Sequence, residues 1–210
     1  MEKLIIIGAG GYSKSVIDAV DYFNYELIGF IDEFDEKGEH LGFPILGKSL
    51  DDIEDAKKKV FFIAIGNNKR RKVWYDRLTE KGLRLINVVD KSAIVSPRAT
   101  IGNGCFIGKM AIVNSKAIVG NNCIVNSRAL AEHGSCLKDH VNISTGAILN
   151  GDVVIGTGSF IGSGSTIIGQ LEVGEWSTVG AGAVVTKSIG SGVTAVGIPA
   201  KVIKEGAMLG

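Results

Sequence analysis

VSPRATIGNGCFIGKMAIVNSKAIVGNNCIVNSRALA (residues 95–131) carries an aliphatic side chain at every sixth position. The beat falls on Val95, Ile101, Ile107, Val113, Val119, Val125 and Ala131. It runs on without a phase slip through Leu137, Ile143, Leu149, Ile155, Ile161, Ile167, Val173, Val179 and Val185. Four residues after most of these stands a small side chain, as at Ala99, Cys105, Ala111, Ala117, Cys123, Ala129, Ser135, Ala147 and Ser159. The residue directly after the aliphatic is often Gly or Asn, as at Gly102, Gly108, Asn114, Gly120 and Asn126. Those residue types tolerate left-handed backbone angles, so a turn is expected at that step. A hexapeptide period predicts a parallel β-helix, with three short strands to each triangular coil of 18 residues and about five coils. Each coil buries its aliphatics only against its neighbours, so no single repeat folds alone. Cys105 and Cys123 lie one coil apart and read as stacked packing residues rather than a redox pair.

Before the repeat the pattern differs. KLIIIGAG (3–10) is a continuous apolar run ending in glycines, which fits a buried parallel strand. GYSKSVIDAVDYFN follows as a helix with Val16, Val20 and Phe23 on one face and Ile17 beside them. YELIGFIDE, VFFIAIGNN and LRLINVVD read as three further strands, SLDDIEDAKKK as a short helix capped at Ser49, and KRRKVWYDRLTEKG as a helix stopped at Gly82. Alternating strands and helices predict a small Rossmann-like α/β unit with a parallel sheet over residues 1–90, and the β-helix with its tail over 91–210.

The α/β unit carries a phosphate-binding pattern. In GAGGYSK, Gly8 permits a tight turn and Gly10 lets backbone amides approach an anion at a helix N-terminus, although Ser13 replaces the third glycine of the full motif. Asp32 ends the second strand, where an acidic residue commonly holds a ribose hydroxyl. Gly66, Asn67 and Asn68 end the third strand, and Lys69, Arg70, Arg71 and Lys72 follow. Four cations oppose the dipole at a helix N-terminus, a cost that a bound anion or solvent relieves. All these groups lie at the carboxyl edge of a parallel sheet, so a nucleotide is the expected ligand.

Composition narrows the field. The chain has 210 residues and net charge +1, which gives no sign of nucleic acid or an anionic membrane as partner. No apolar run is long enough to span a membrane, and the N-terminal run LIIIG reads as a strand rather than a leader. Three cysteines without a CxxC pair fit a reducing cytoplasm. Glycine, at 29 residues, is about twice as frequent as usual, which points to many tight turns.

Of three histidines, His40 lies in a polar loop and reads as a surface residue, and His140 lies in the charged step KDH and reads as structural or solvated. His133 differs. It follows Ala131, the smallest residue of the aliphatic series, and stands beside Glu132. One coil further on is Gly151, so an imidazole and a glycine amide should be neighbours at one corner, about 4.8 Å apart along the stack. A base beside a backbone donor suits acyl transfer. Two repeat histidines without a third ligand argue against a catalytic zinc.

The hexapeptide run, AEHGSC (131–136), VTAVGIPAKVI (193–203), IGAGGYSK and FFIAIGNN together resemble the left-handed β-helix acyltransferases of the NeuD/PglD type. These include UDP-4-amino-sugar N-acetyltransferases of bacillosamine synthesis and sialic acid O-acetyltransferases. The resemblance implies a left-handed helix, a homotrimer, acetyl-CoA as co-substrate and no metal. It implies His133 as general base, with Glu132 the nearest carboxylate, and the amide of Gly151 on the thioester carbonyl. It implies that Gly8, Gly10, Gly11, Asp32, Gly66, Asn67 and Asn68 line a nucleotide-sugar pocket. It sets Asn142, Gly151, Ala181, Gly197, Pro199 and Lys201 along the coenzyme. Relatives often carry an acid directly after the histidine and a second histidine nine residues on, where this chain has Gly134 and Asn142.

The reading is thus an acetyl-CoA-dependent N-acetyltransferase acting on a UDP-linked 4-amino-4,6-dideoxy sugar. The same kit could acetylate a hydroxyl, for example on sialic acid, and a catalytically silent nucleotide-sugar binder is the other class. An NAD oxidoreductase is disfavoured, because ninety residues hold only half of a dinucleotide fold.

Overall fold

The computed structural model describes residues 1–34 and 38–205. The first unit contains β1 (Glu2–Ile7), α1 (Gly11–Ala19), β2 (Tyr25–Ile31), β3 (Glu39–His40), β4 (Phe43–Gly47), β5 (Val60–Ile63), α2 (Asn68–Glu80) and β6 (Arg84–Leu85). Its sheet runs β3-β4-β2-β1-β5-β6, parallel except where β3 meets β4. β1 is apolar from Leu4 to Ile7 because both its faces are covered there. Leu4 and Ile6 pack with Val16, Phe30 and Phe62, whereas Ile5 and Ile7 pack with Phe61, Trp74 and Leu78 of the other layer.

Four local expectations are corrected. α1 stops at Ala19 with Val20 as its C-cap, so Phe23 leaves the packed face and is 95% exposed. SLDDIEDAKKK forms two 3₁₀ turns, Leu50–Asp52 and Ala56–Lys58, separated by Asp55 at φ 49°, although the Ser49 cap is present. LRLINVVD divides between two sheets, with Arg84–Leu85 beside β5 and Val88–Val89 beside Phe106–Ile107. His40 is half-buried, its Nε2 2.8 Å from Ser13 Oγ and its ring edge-on to Phe30.

From Val88 to Val185 the chain is a left-handed parallel β-helix of seventeen two-residue strands in three sheets. The first face carries Phe106–Ile107, Ile124–Val125, Asn142–Ile143, Phe160–Ile161 and Thr178–Val179. The second carries Ile112–Val113, Leu130–Ala131, Ile148–Leu149, Thr166–Ile167 and Val184–Val185. The third carries Ile118–Val119, Cys136–Leu137, Val154–Ile155 and Glu172–Val173. Every aliphatic of the series from Ile107 to Val185 is at most 1% exposed, so the six-residue beat is the interior of the prism.

The turn glycines have a different cause from the expected one. The left-handed residues fall three places after the aliphatic, as at Met110, Lys116, Asn122, Arg128, His140 and Asp152. The glycine directly after the aliphatic instead meets the next coil. A Cβ at Gly156 would lie 2.5 Å from the Glu175 nitrogen, and one at Gly162 would lie 2.6 Å from the Ala181 nitrogen. Close coil stacking, not backbone angle, demands glycine there.

The α/β unit docks on the first face through Phe106 and Ile124, which share a core with Leu4, Val16 and Phe62. Beside this apolar joint, α2 plugs a column of backbone carbonyls at the corner between the third and first faces. Arg71, expected among solvent- or anion-facing cations, is 1% exposed. Its guanidinium donates to the carbonyls of Asn122 (3.0 Å) and His140 (2.8 Å), to those of Ile65 and Gly66 (both 3.2 Å), and to Asn68 Oδ1 (2.9 Å). Asn68 Nδ2 donates to the next carbonyls of the column, Gly158 (3.0 Å) and Ser159 (3.1 Å). A planar five-donor fork suits such a cage, and its charge is dispersed over carbonyl dipoles.

His140 stands in the same column, its Nδ1 2.9 Å from Asn122 Nδ2 and its ring edge-on to Tyr75. Burial depresses its pKa to about 4, against the pull of Asp139 and with help from Arg71. Between pH 6.5 and about 4 the unfolded chain therefore binds a proton that the folded chain refuses, and stability falls as pH drops through that window. A His140→Asn variant, which keeps a residue tolerant of left-handed angles, should flatten that part of a melting-temperature profile. Arg71→Met strands several carbonyls without donors and should cost about 3 kcal/mol or more in urea unfolding.

Candidate active site

His133 sits at the corner that follows Leu130–Ala131, between the second and third faces. Ala131 is fully buried beneath it. The imidazole leans across the step to the next coil and covers Gly151, where a Cβ would lie 2.7 Å from Nε2. No side chain larger than hydrogen fits under the ring. The two strands of backbone are locked in register, since Asp152 N–H donates to the His133 carbonyl at 2.9 Å and Gln170 N–H to the Gly151 carbonyl at 2.9 Å. The Gly151 N–H itself has no acceptor among the described residues. An exposed imidazole and a free amide donor thus share one corner.

Glu132 is not the group that orients this ring. Its Oε1 accepts from Asn114 Nδ2 at 2.7 Å, one coil back, and from the His133 backbone N–H at 2.9 Å. Adjacent residues of an extended chain point to opposite sides, which separates this carboxylate from the imidazole.

A second concave region lies at the carboxyl edge of the α/β sheet, with a volume of about 430 Å³. Gly8, Gly10, Gly11, Asp32, Gly66 and Asn67 all line it, joined by Tyr12, Glu33, Phe34, Arg70 and Trp74. Gly8 has φ +102°, and a Cβ there would stand 2.9 Å from the Ala64 carbonyl oxygen, so glycine is required for the turn to pass β5. Gly10 caps α1 without a side-chain cap, leaving helix-terminal amides toward the opening. Asp32 holds this loop, since its Oδ2 accepts from Ala9 N–H at 2.6 Å and its Oδ1 from Phe34 N–H at 2.8 Å. The Arg70 guanidinium lies 4.6 Å over the Phe34 ring.

Gly66 and Asn67 also line an adjoining cavity of about 250 Å³ between the α2 entry and the first face. Its walls are Asn68, Lys69, Gly158, Phe160, Trp176, Ser177 and Thr178. Trp176 has φ 53° and lays its ring against Gly158. Lys69 has no ion-pair or hydrogen-bond partner among the described residues, unlike Arg70, Arg71 and Lys72. Asn68 belongs to this wall, but its side-chain amide is spent on the domain joint.

The remaining expected positions do not gather at His133 within one chain. Asn142 lies on the first face, 6% exposed, with Nδ2 3.5 Å from the Gly66 carbonyl. Ala181 follows Val179 at the corner between the first and second faces. Gly197 to Lys201 close the end of the second face, where Val184 N–H donates to Gly197 (3.0 Å) and Ala200 N–H to Val184 (2.8 Å). His133 and Gly151 border the second face on its other edge. A corner between the second and third faces is the part of a triangular prism opposite the first face, which bears the docked α/β unit and one wall of the smaller cavity.

Sequence reasoning named Lys69 only as one cation of four and passed over Phe160 and Trp176 of the cavity wall and Asp152 of the His133 corner. Asp152 was findable, because it is one coil beyond Gly134. Among the described residues, no group of three or more His, Cys, Asp or Glu is placed to hold a metal. No described helix is long and apolar enough to cross a membrane.

Comparison with known proteins adds three findings. Residues 3–78 match the family model of the PglD N-terminal domain. The acetyltransferase domain of PglB from Neisseria gonorrhoeae is 35% identical, with 97% of this chain and 100% of that one covered and a TM-score of 0.91; it is also known in complex with acetyl coenzyme A. Perosamine N-acetyltransferase from Caulobacter crescentus, in complex with CoA and GDP-perosamine, is 28% identical over 98% of both chains with a TM-score of 0.92. An uncharacterized protein of Acanthamoeba polyphaga mimivirus is 32% identical over 104 residues, and that match spans only 20% of the viral protein.

Proposed function

Because this chain belongs to the left-handed β-helix sugar N-acetyltransferases of the PglD/NeuD type, we propose that it acetylates the amino group of a UDP-linked 4-amino-4,6-dideoxy sugar with acetyl-CoA. The observation that carries this reading is the His133 imidazole stacked on Gly151 beside an unoccupied amide donor. The acceptor amine attacks the thioester carbon, His133 takes the amine proton, and the Gly151 N–H stabilises the oxyanion. The carbon–sulfur bond then breaks and the thiolate leaves with the proton returned by the imidazolium.

The α/β unit, residues 1–90, supplies the acceptor. The nucleotide lies in the Gly8–Gly11 and Asp32 pocket, and Lys69 at the junction faces the diphosphate. The sugar enters the adjoining cavity, whose Phe160 and Trp176 suit a deoxygenated ring edge. Residues 91–210 carry the base and the coenzyme positions. A GDP-linked sugar is the second reading, favoured by the ligand of the Caulobacter relative. O-acetylation of sialic acid leaves the nucleotide pocket without a task.

The family resemblance implies a homotrimer, and the placement of these parts supports a site shared between copies. His133 stands opposite the face on which the α/β unit docks, so base and acceptor are set to meet between copies. The second face offers an outward stripe, Ile94, Ile112, Leu130, Ile148, Thr166 and Val184, apolar except at Thr166, for such packing. The coenzyme positions Ala181 and Gly197 to Lys201 border that same face, so acetyl-CoA is set along the subunit boundary. The cytoplasm, where acetyl-CoA meets reduced thiols, fits the three free cysteines.

The test is thiol release from acetyl-CoA with UDP-4-amino, GDP-4-amino and free 4-amino sugars and with sialic acid. Turnover with the UDP-linked amine is expected, and turnover with sialic acid alone overturns the acceptor. His133→Ala should lower kcat ~100-fold or more with little change in acetyl-CoA affinity.

A further inference from the structure

The step just described puts a positive charge on His133, and the carboxylate beside it in sequence is turned away. The corner column is Ser115-Lys116, His133-Gly134, Gly151-Asp152 and Gly169-Gln170, each pair 18 residues from the last. The charged groups around the imidazole are therefore Lys116, Glu132 and Asp152. Lys116 carries the wrong sign to favour an imidazolium. Glu132 already accepts two hydrogen bonds. Asp152 has no hydrogen-bond or ion-pair partner for its carboxylate among the described residues.

Asp152 also has a defined place. Its Oδ1 occupies the position that a Cβ at residue 134 would take, with Cγ 3.1 Å from that point. His133 leans forward over Gly151 while Asp152, the residue after it, leans back over Gly134, the residue after His133. The two side chains enter the same gap between coils from opposite sides, with no hydrogen bond or ion pair between them in this resting state. Gly134 (φ +67°) leaves the room that Asp152 fills.

Resting on the acetyl-transfer reading, we propose that Asp152 is the positioning residue for His133. Its carboxylate closes on the ring as the proton arrives and stabilises the imidazolium formed in the transition state. Asp152 itself takes no proton; the proton passes from the amine to the ring and from the ring to the leaving thiolate. The corner thus draws its base from one coil and its counter-charge from the next.

Two variants test this. Asp152→Asn keeps the shape and a residue tolerant of left-handed angles, so the fold is preserved, as a melting curve checks. The double variant Gly134→Asp/Asp152→Gly moves the carboxylate to the neighbouring coil without the clash. Asp152→Asn should lower kcat ~10-fold or more, with KM for acetyl-CoA and for the UDP-4-amino sugar within about 2-fold. The double variant should return kcat to within about 3-fold of wild type. An Asp152→Asn kcat within 2-fold of wild type, a loss confined to KM, or a double variant no faster than Asp152→Asn overturns the proposal. A wild-type chain that releases no thiol with any amino sugar instead overturns the acetyl-transfer reading, and this proposal with it.

Discussion

Backbone hydrogen bonds between successive coils fix a register that sets each strand residue beside the one 18 positions on, and most of the molecule's chemistry follows from that constraint. Ile112, Leu130 and Ile148 are vertical neighbours for this reason, and so are Asn114 and Glu132. The same ladder sets His133 above Gly151 and Asp152 below Gly134. A loop could bring such groups together only by ordering many backbone angles. Here the stacked interior, sealed by aliphatics at most 1% exposed from Ile107 to Val185, has already fixed them.

The second organising element is the joint between sheet and prism. Phe106 and Ile124 supply its apolar area, but Arg71 and Asn68 supply its register, because they read carbonyls at three consecutive turns of one corner. Arg71 also holds the Ile65 and Gly66 carbonyls, so the loop that lines both cavities is tied to the coils. The acceptor pocket is thus rigid with respect to the first face. On the proposed reading, that rigidity keeps it apart from the corner bearing His133, so a neighbouring copy would complete the site.

Much of this was legible in the sequence. The six-residue beat identified the interior, since burial of one side chain per strand is all that a short strand can encode. The one-coil spacing from His133 to Gly151 was equally legible. Other features depend on where a side chain turns after the backbone is placed. Arg71 reads as one cation of four, and only the docked prism shows that it points inward. Glu132 looks like the partner of His133, yet it turns to Asn114. The glycines after each aliphatic suggested left-handed turns, but their cause is contact with the next coil, which a single repeat does not reveal. The acetyl donor and the trimer came from family resemblance rather than from spacing.

The proposed division of labour between copies is measured most directly by subunit complementation. His133→Ala removes the base. Gly10→Asp puts a carboxylate into the phosphate end of the pocket, where a side chain meets no other atom within 4 Å, so the fold is spared. Each variant should be inactive alone. Dissociated and reassembled at equal amounts, they should regain about one quarter of wild-type turnover, the share of interfaces in a closed ring that pair an intact base with an intact pocket. A mixture as inactive as its parents would contradict a site shared between copies.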